Sequence, residues 1–436
     1  MNADYILQKF HITEAEFENE LRGMYSTSFF HIYTSGEYLE DLNQLSVKDR
    51  GTFIHEYIHY WQNIGTLWGL GNSILFYNEI RHIVNEIRRS EEIKLPLNIS
   101  FPEKYAKERL KYEIGNGTNK DEIFKSKSID LSKHMAISFV DKPIGTGSIP
   151  AVYIKVYFTD GNAVDISLGA HIIKESMAAL YQSLIDPETP HDDIPYNLVR
   201  LLCKKNYPDL ADNIQLLICA CYASLFSMRP GETLLQLLAF ATKEKISNGI
   251  DLLSYHISNS TVMTSKHNNS ISITECFDEM VDCFLQNLRD NLMSPLDYIE
   301  EAMNRVRIST GWLPLITVLN EDIRNMNDNL NHIIGYMGIP YIQAKNGIYH
   351  ASTVQKKLNE VSVDVLELNA QEAVFLYLMG KTPFRCCPLY YMCQGGEFEK
   401  AECFDAPWEG NECSFTIAGH FLKEKKYSGN KLLYNQ

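Results

Sequence analysis

The chain lacks any apolar run of the length, about 20 residues, that a bilayer-spanning helix needs. Its first residues, MNADYILQKFHITEAEFENEL, hold no apolar signal core. A cytoplasmic protein is therefore expected, neither membrane-bound nor exported by the Sec route, and delivery by a route without such a signal stays open. Basic charge is also scarce: 40 Lys and Arg stand against 55 Asp and Glu, a net charge of −15. A general nucleic-acid binder needs cationic surface to neutralise phosphates, so that class is set aside. Lys423, Lys425 and Lys426 read as a solvated face. Charged residues make up 22% and apolar ones 45%, which is ordinary globular composition and excludes extended disorder. No internal repeat at a fixed period is present. Paired CxxC knuckles are missing too, although Cys386, Cys387, Cys393, Cys403 and Cys413 gather near the C-terminal end with His420 beyond. A second, structural zinc there is one reading and reduced thiols the other.

What the chain does hold is TFIHEYIHYWQNIGTL at residues 52–67, with His55, Glu56 and His59 in the spacing HExxH. Residues four apart share one face of a helix, so two imidazoles there can converge on one ion. Zinc takes neutral imidazole nitrogen and carboxylate oxygen in tetrahedral sites, and a catalytic site leaves one position open for water. Glu56 is placed to take that water's proton. From ordinary His and Glu frequencies, a chain of this length shows the spacing by chance only about three times in a hundred. Phe53, Ile54, Tyr57, Ile58, Tyr60 and Trp61 make the stretch apolar nearly all round, as in a buried helix. Polar groups facing into such a helix need partners or a metal to offset lost hydration. A metal site is expected, and a helix of satisfied core histidines is the rival.

Around the motif, helices are expected near residues 4–24, over 73–89 and over 168–183. A strand at 29–34 precedes the motif helix and is read as the edge of its cleft. Residues 111–133 are polar and read as a loop. Val152, Ile154, Val156 and Phe158 alternate with Tyr153, Lys155 and Tyr157, the period of a strand. Asp160-Gly161 then turns the chain back into residues 163–167 as a hairpin partner. DPETPHDDIP, at 186–195, is the expected domain boundary. Beyond it helices are expected at 210–228, 233–245, 273–292 and 369–379, with another opening at Ser294-Pro295 and Asp297 in its capping-box position. The expected fold class is α+β, mainly helical. It divides into residues 1–190, a helical domain over 191–380 and a cysteine-rich segment over 381–436.

Two histidines need a third ligand. The metzincin extension places Gly and His three and six residues past the second histidine, where this chain has Gln62 and Gly65, so that group is excluded. The sequence instead resembles the gluzincin type of HExxH zinc metallopeptidase in the zincin superfamily, where a glutamate from a later helix completes the site. Glu79, 20 residues past His59, has the thermolysin-like spacing. The rest of that signature is missing, and Glu79 shares a polar helix face with Asn72, His82 and Glu86. Glu175 is a lone carboxylate on an apolar, small-residue face. Its KESMA setting is similar to the ExxA helices that carry the third ligand in gluzincins. Glu175 is favoured; Glu79 and His171 stay open.

The resemblance covers the motif helix and, more weakly, the Glu175 helix. It implies a zincin-like domain of active-site helix, small sheet or hairpin and Glu-bearing helix over residues 1–190. It further implies Zn²⁺ as cofactor, a protein or peptide substrate, and peptide-bond hydrolysis with Glu56 as base and then acid. The oxyanion of that reaction needs a donor besides zinc: His171 is the first candidate and Tyr181 the second. His171 has the other reading of a hydrogen bond that orients Glu175. The large helical remainder points to narrow protein specificity. A reading of another class is a non-catalytic zincin-like sensor or scaffold acting through that helical half. It would show a site with no open position, or a cleft closed to peptides.

Overall fold

The computed structural model describes residues 23–26, 30–89, 92–95, 97, 124–263, 270–291, 297–308, 316, 319, 323–349, 370–375, 377–378, 387, 413, 415–416, 418 and 431–434. Two short strands, β1 (Gly23–Ser26) and β2 (His31–Thr34), lead to the long helices α1 (Val47–Ile64) and α2 (Leu67–Arg89). A meander follows: β3 (Ala136–Ile144), β4 (Gly147–Tyr157) and β5 (Ala163–Ser167), ending in α3 (Ala170–Ile185). Then come α4 (Leu198–Asn206), α5 (Ile214–Ser224), α6 (Pro230–Glu244), α7 (Gly249–Asn259), α8 (Ile273–Asn291), α9 (Asp297–Ile308) and α10 (Ile323–Met337). Strands β6 (Tyr341–Ala344) and β7 (Gly347–Tyr349) return to the first sheet. The architecture is α+β and mainly helical, with small sheets.

Local chemistry sets the limits of α1. Ser46 caps its start, the hydroxyl oxygen accepting from Asp49 N at 3.1 Å while its O–H donates to the Asp49 carboxylate at 2.9 Å. At the other end Gly65 N reaches back to Trp61 O. From Gly51 to Ile64 every residue of α1 is buried, because other elements cover it on all sides. The chain then turns so tightly into α2 that a Cβ on Gly69 would lie 2.3 Å from Gln62 O. Only glycine fits there. This is why α2 begins at Leu67, six residues before the expected 73, with the Gly-rich stretch inside its first turns.

The first sheet has the order β1-β2-β6-β7, with β2 antiparallel to β1 and parallel to β6. The strand expected at 29–34 is thus inside the sheet; β1 holds the edge beside α1. β6, whose four residues are all buried, is not among the expected strands. In the meander the alternation holds, with Val152, Ile154 and Val156 buried and Lys155 exposed. β3, its antiparallel partner, was not expected, since most of its residues are exposed.

α3 packs along α1 on one side and α5 on the other. One buried apolar cluster runs from Phe30 to Ala344, and it continues across the stretch read as a domain boundary at 186–195. The expected helices over 210–228, 233–245 and 273–292 stand at α5, α6 and α8, while α4, α7 and α10 fall where none was expected. Of the 369–379 helix, residues 370–375 and 377–378 are helical. Residues 4–22, 111–123 and 294–296 and Cys386, Cys393, Cys403 and His420 lie outside the described residues. Among the described residues no helix is long and apolar enough to cross a membrane.

Candidate metal centre

On α1, His55, His59 and Gln62 fall at positions i, i+4 and i+7, one face of a helix, and that face meets α3. From α3 comes Glu175. Its Oε2 lies 3.4 Å from His55 Nε2 and 3.4 Å from His59 Nε2. The two imidazole rings stand at 81° with centroids 4.9 Å apart, so their edges converge instead of stacking. Among the described residues these three form the one group of three or more His, Cys, Asp or Glu side chains that could hold a metal ion.

Does an ion fit? Four donors in a tetrahedron with bonds of roughly 2.0–2.1 Å stand about 3.3–3.4 Å from one another. Both nitrogen-to-oxygen distances match that edge. The donor set, two imidazoles and one carboxylate, leaves a fourth position to an outside ligand. Glu79 lies on α2 outside this group, so the structure brings Glu175 and not Glu79 to the histidines.

The surroundings of the two histidines differ. His59 Nδ1 is 2.9 Å from Gln62 Oε1, and Gln62 Nε2 donates to Lys174 O at 3.1 Å. His55 Nδ1 is buried without a hydrogen-bond partner among the described residues. Ring packing holds His55 instead. His191 lies against it at 6.2 Å between centroids and 26° between planes, and Tyr196 at 5.9 Å.

Electrostatics separate the two carboxylates. Burial pushes the Glu56 carboxyl up to about 8, with His55 opposing the rise and Glu175 adding to it. Burial also opposes charge on Glu175. There the positive field of His59 and hydrogen bonds from both imidazoles win, and hold it well below the usual carboxylate range. Lys174, half-buried with its ammonium 5.7 Å from the Trp68 ring centre, is drawn down by burial against the pull of Glu175 and Glu56. Glu56 is only 6% exposed, and β1 is part of the reason. A Cβ on Gly23 would come within 2.7 Å of Glu56 Oε1 and 3.0 Å of the Thr52 side chain.

Of the two expected oxyanion donors, Tyr181 needs correction. Tyr181 lies six residues beyond Glu175, about 240° round the helix, and is fully buried with Cys219 of α5 beside it. That is a core position, and burial raises its phenol pKa. His171 is one turn before Glu175, its Nδ1 4.0 Å from Glu175 Oε1. It faces the oxygen that the two histidines do not share, at a distance longer than a hydrogen bond.

The residues missed in sequence are His191 and Tyr196, their rings 5.2 Å apart. They lie in and just after the stretch read as a domain boundary. That stretch is stitched down: Ser176 Oγ donates to Pro195 O at 2.9 Å, Ile129 N to Asp193 at 2.7 Å and Asn197 Nδ2 to His191 O at 2.8 Å. A histidine and a tyrosine close behind a Pro- and Asp-rich turn were the available signal, but neither has a fixed spacing to HExxH.

No protein-family model, curated protein or solved structure matches the chain.

Proposed function

We propose that the chain is a zinc-dependent metallopeptidase of the gluzincin type, with His55, His59 and Glu175 holding the ion. The observation that carries this reading is the meeting of both HExxH imidazoles on one oxygen of Glu175 at 3.4 Å. When bound, the ion supplies Lewis acidity toward a peptide carbonyl and makes water acidic enough to serve as nucleophile near neutral pH. The chain's own groups do the rest. Glu56, one residue past His55 on the side of β1, takes the water's proton and later delivers it to the leaving amine. Tyr196 and His191, packed on His55, serve in this reading as donors to the developing oxyanion. His171, one turn before Glu175, adds charge beside its second oxygen when protonated. β1, at the sheet edge beside Glu56, offers backbone groups with which an extended substrate pairs. In this reading the first sheet, α1 and α3 form the zincin-like unit.

Burial of the site favours a narrow choice of protein substrate. His55 and His59 are each 7% exposed, which leaves little room for an arbitrary peptide. The same burial supports the second reading, a non-catalytic zincin-like sensor or scaffold. Exposing a diverse peptide library to the zinc-loaded protein and to Glu56→Gln, with cleavage read by mass spectrometry, separates them. Cleavage by wild type alone is expected. Zinc binding with no cut in the library, nor in proteins of the source cell, favours the sensor.

A further inference from the structure

We infer that Gln62 is a positioning residue that prepares His59 for the ion and ties it to the helix carrying Glu175. The inference rests on the metal-site reading and adds to it a residue that does not touch the ion. Gln62 is 1% exposed, so its amide has no water to fall back on and its two bonds decide its orientation. A backbone carbonyl only accepts, so the group facing Lys174 O at 3.1 Å is the amide NH₂. The amide oxygen therefore faces His59 Nδ1 at 2.9 Å. An amide oxygen also only accepts, so Nδ1 carries the proton. Nε2 is then the nitrogen presented to a cation, and it is the atom 3.4 Å from Glu175 Oε2.

A single side chain thus transmits the polarity of a fixed carbonyl to the metal-facing atom of a histidine. The carbonyl belongs to Lys174, the residue next to Glu175 in the chain. Gln62 therefore sets the tautomer of one ligand and the register of α1 against the backbone that carries another. His55 has no such strut, since its Nδ1 lacks a hydrogen-bond partner among the described residues. Losing Gln62 removes the hydrogen bond that fixes His59.

Packing and positioning predict opposite rankings of two variants. Gln62→Leu keeps the volume and removes both bonds; Gln62→Glu keeps an acceptor on Nδ1 and places a carboxyl in a buried site. The experiment titrates the full-length protein with Zn²⁺ against a competing chelator and with Co²⁺ by visible absorption. It uses wild type, Gln62→Leu, Gln62→Glu and Glu175→Ala, with metal-free melting curves to establish that each folds. The expected result is a 10- to 100-fold loss of Zn²⁺ affinity in Gln62→Leu, roughly the range for removing a hydrogen-bond partner of a metal ligand. An altered Co²⁺ spectrum accompanies it, and affinity is largely restored in Gln62→Glu. Binding in Gln62→Leu equal to wild type, while Glu175→Ala loses the ion, overturns the role of Gln62 and leaves the site standing. So does a Gln62→Glu that binds worse than Gln62→Leu, the ranking packing requires. A wild type that takes up neither ion overturns the site itself and this inference with it.

Discussion

Gly23 of the edge strand lies so close to Glu56 that a single added carbon would stand 2.7 Å from the carboxylate oxygen and 2.8 Å from Glu56 Cγ. The strand therefore fixes where the proposed base can lie. Gly23→Ala forces Glu56 or β1 aside, an overpacking that costs about 1–3 kcal/mol. Zinc content is expected to stay at the wild-type level while turnover falls about tenfold or more, since a displaced base loses its catalytic contribution. Metal analysis beside a cleavage assay checks this, and wild-type turnover in Gly23→Ala contradicts it.

Glu56 also predicts how the metal-free protein responds to pH. Its carboxyl is raised by burial from 4.5 to about 8, so between those values the folded state holds a proton that the unfolded state has released. Stability contributed by the protonated form is complete below about pH 4.5 and declines as pH rises toward 8. At about 1.4 kcal/mol per pH unit, the loss is on the order of 3–5 kcal/mol. Glu175, lowered by the imidazoles, acts in the opposite sense, but its change falls below the 4.5 of an unfolded glutamate and outside this window. Urea unfolding in chelator at pH 5, 6.5 and 8 is expected to show Glu56→Gln gaining on wild type as pH rises. Parallel curves rule the assignment out.

If Tyr196 is the oxyanion donor, Tyr196→Phe keeps the ring that packs on His55 and removes only the hydroxyl. Zinc stays bound and kcat falls by about 10²–10³, the usual effect of deleting one such donor. Tyr181→Phe, in the core beside Cys219, leaves kcat unchanged. The reverse ranking in steady-state kinetics returns the role to Tyr181.

Cys203, Cys219 and Cys221 are fully buried and free. Burial pushes the thiols of Cys203 and Cys219 up to about 12 and that of Cys221 higher still. The thiolate is the reactive form, so all three are expected to resist alkylation at pH 8 in the folded protein and to react in denaturant. Peptide mass mapping shows which; rapid labelling of Cys219 in the native protein is the adverse result.

Much of this arrangement was legible in sequence where local chemistry decides it. HExxH announces its own geometry because helical periodicity alone brings His55 and His59 together. Glu175 could be chosen over Glu79 because its helix face is otherwise apolar, so a carboxylate there needs partners. The hairpin at 160–161 followed from alternation and turn residues. What escaped depends on contacts between distant parts of the chain. β6 reaches β2 across some 300 residues of sequence with four buried residues; Asn346-Gly347 marks its hairpin with β7 but carries nothing about the pairing with β2. Residues 23 and 24 of β1 fall within the helix expected at 4–24, because nothing local shows that residue 23 must pass against Glu56. The 186–195 stretch has the composition of a linker, and only its tertiary hydrogen bonds through Asp193 and Pro195 reveal a wall of the site.

The most direct test of the central claim is zinc content, by mass spectrometry, of the purified wild type beside His59→Ala, Glu175→Ala and Glu79→Ala. The account predicts about one zinc per chain in wild type and Glu79→Ala, and its loss in His59→Ala and Glu175→Ala. Full zinc in Glu175→Ala, or none at this site in wild type, contradicts it.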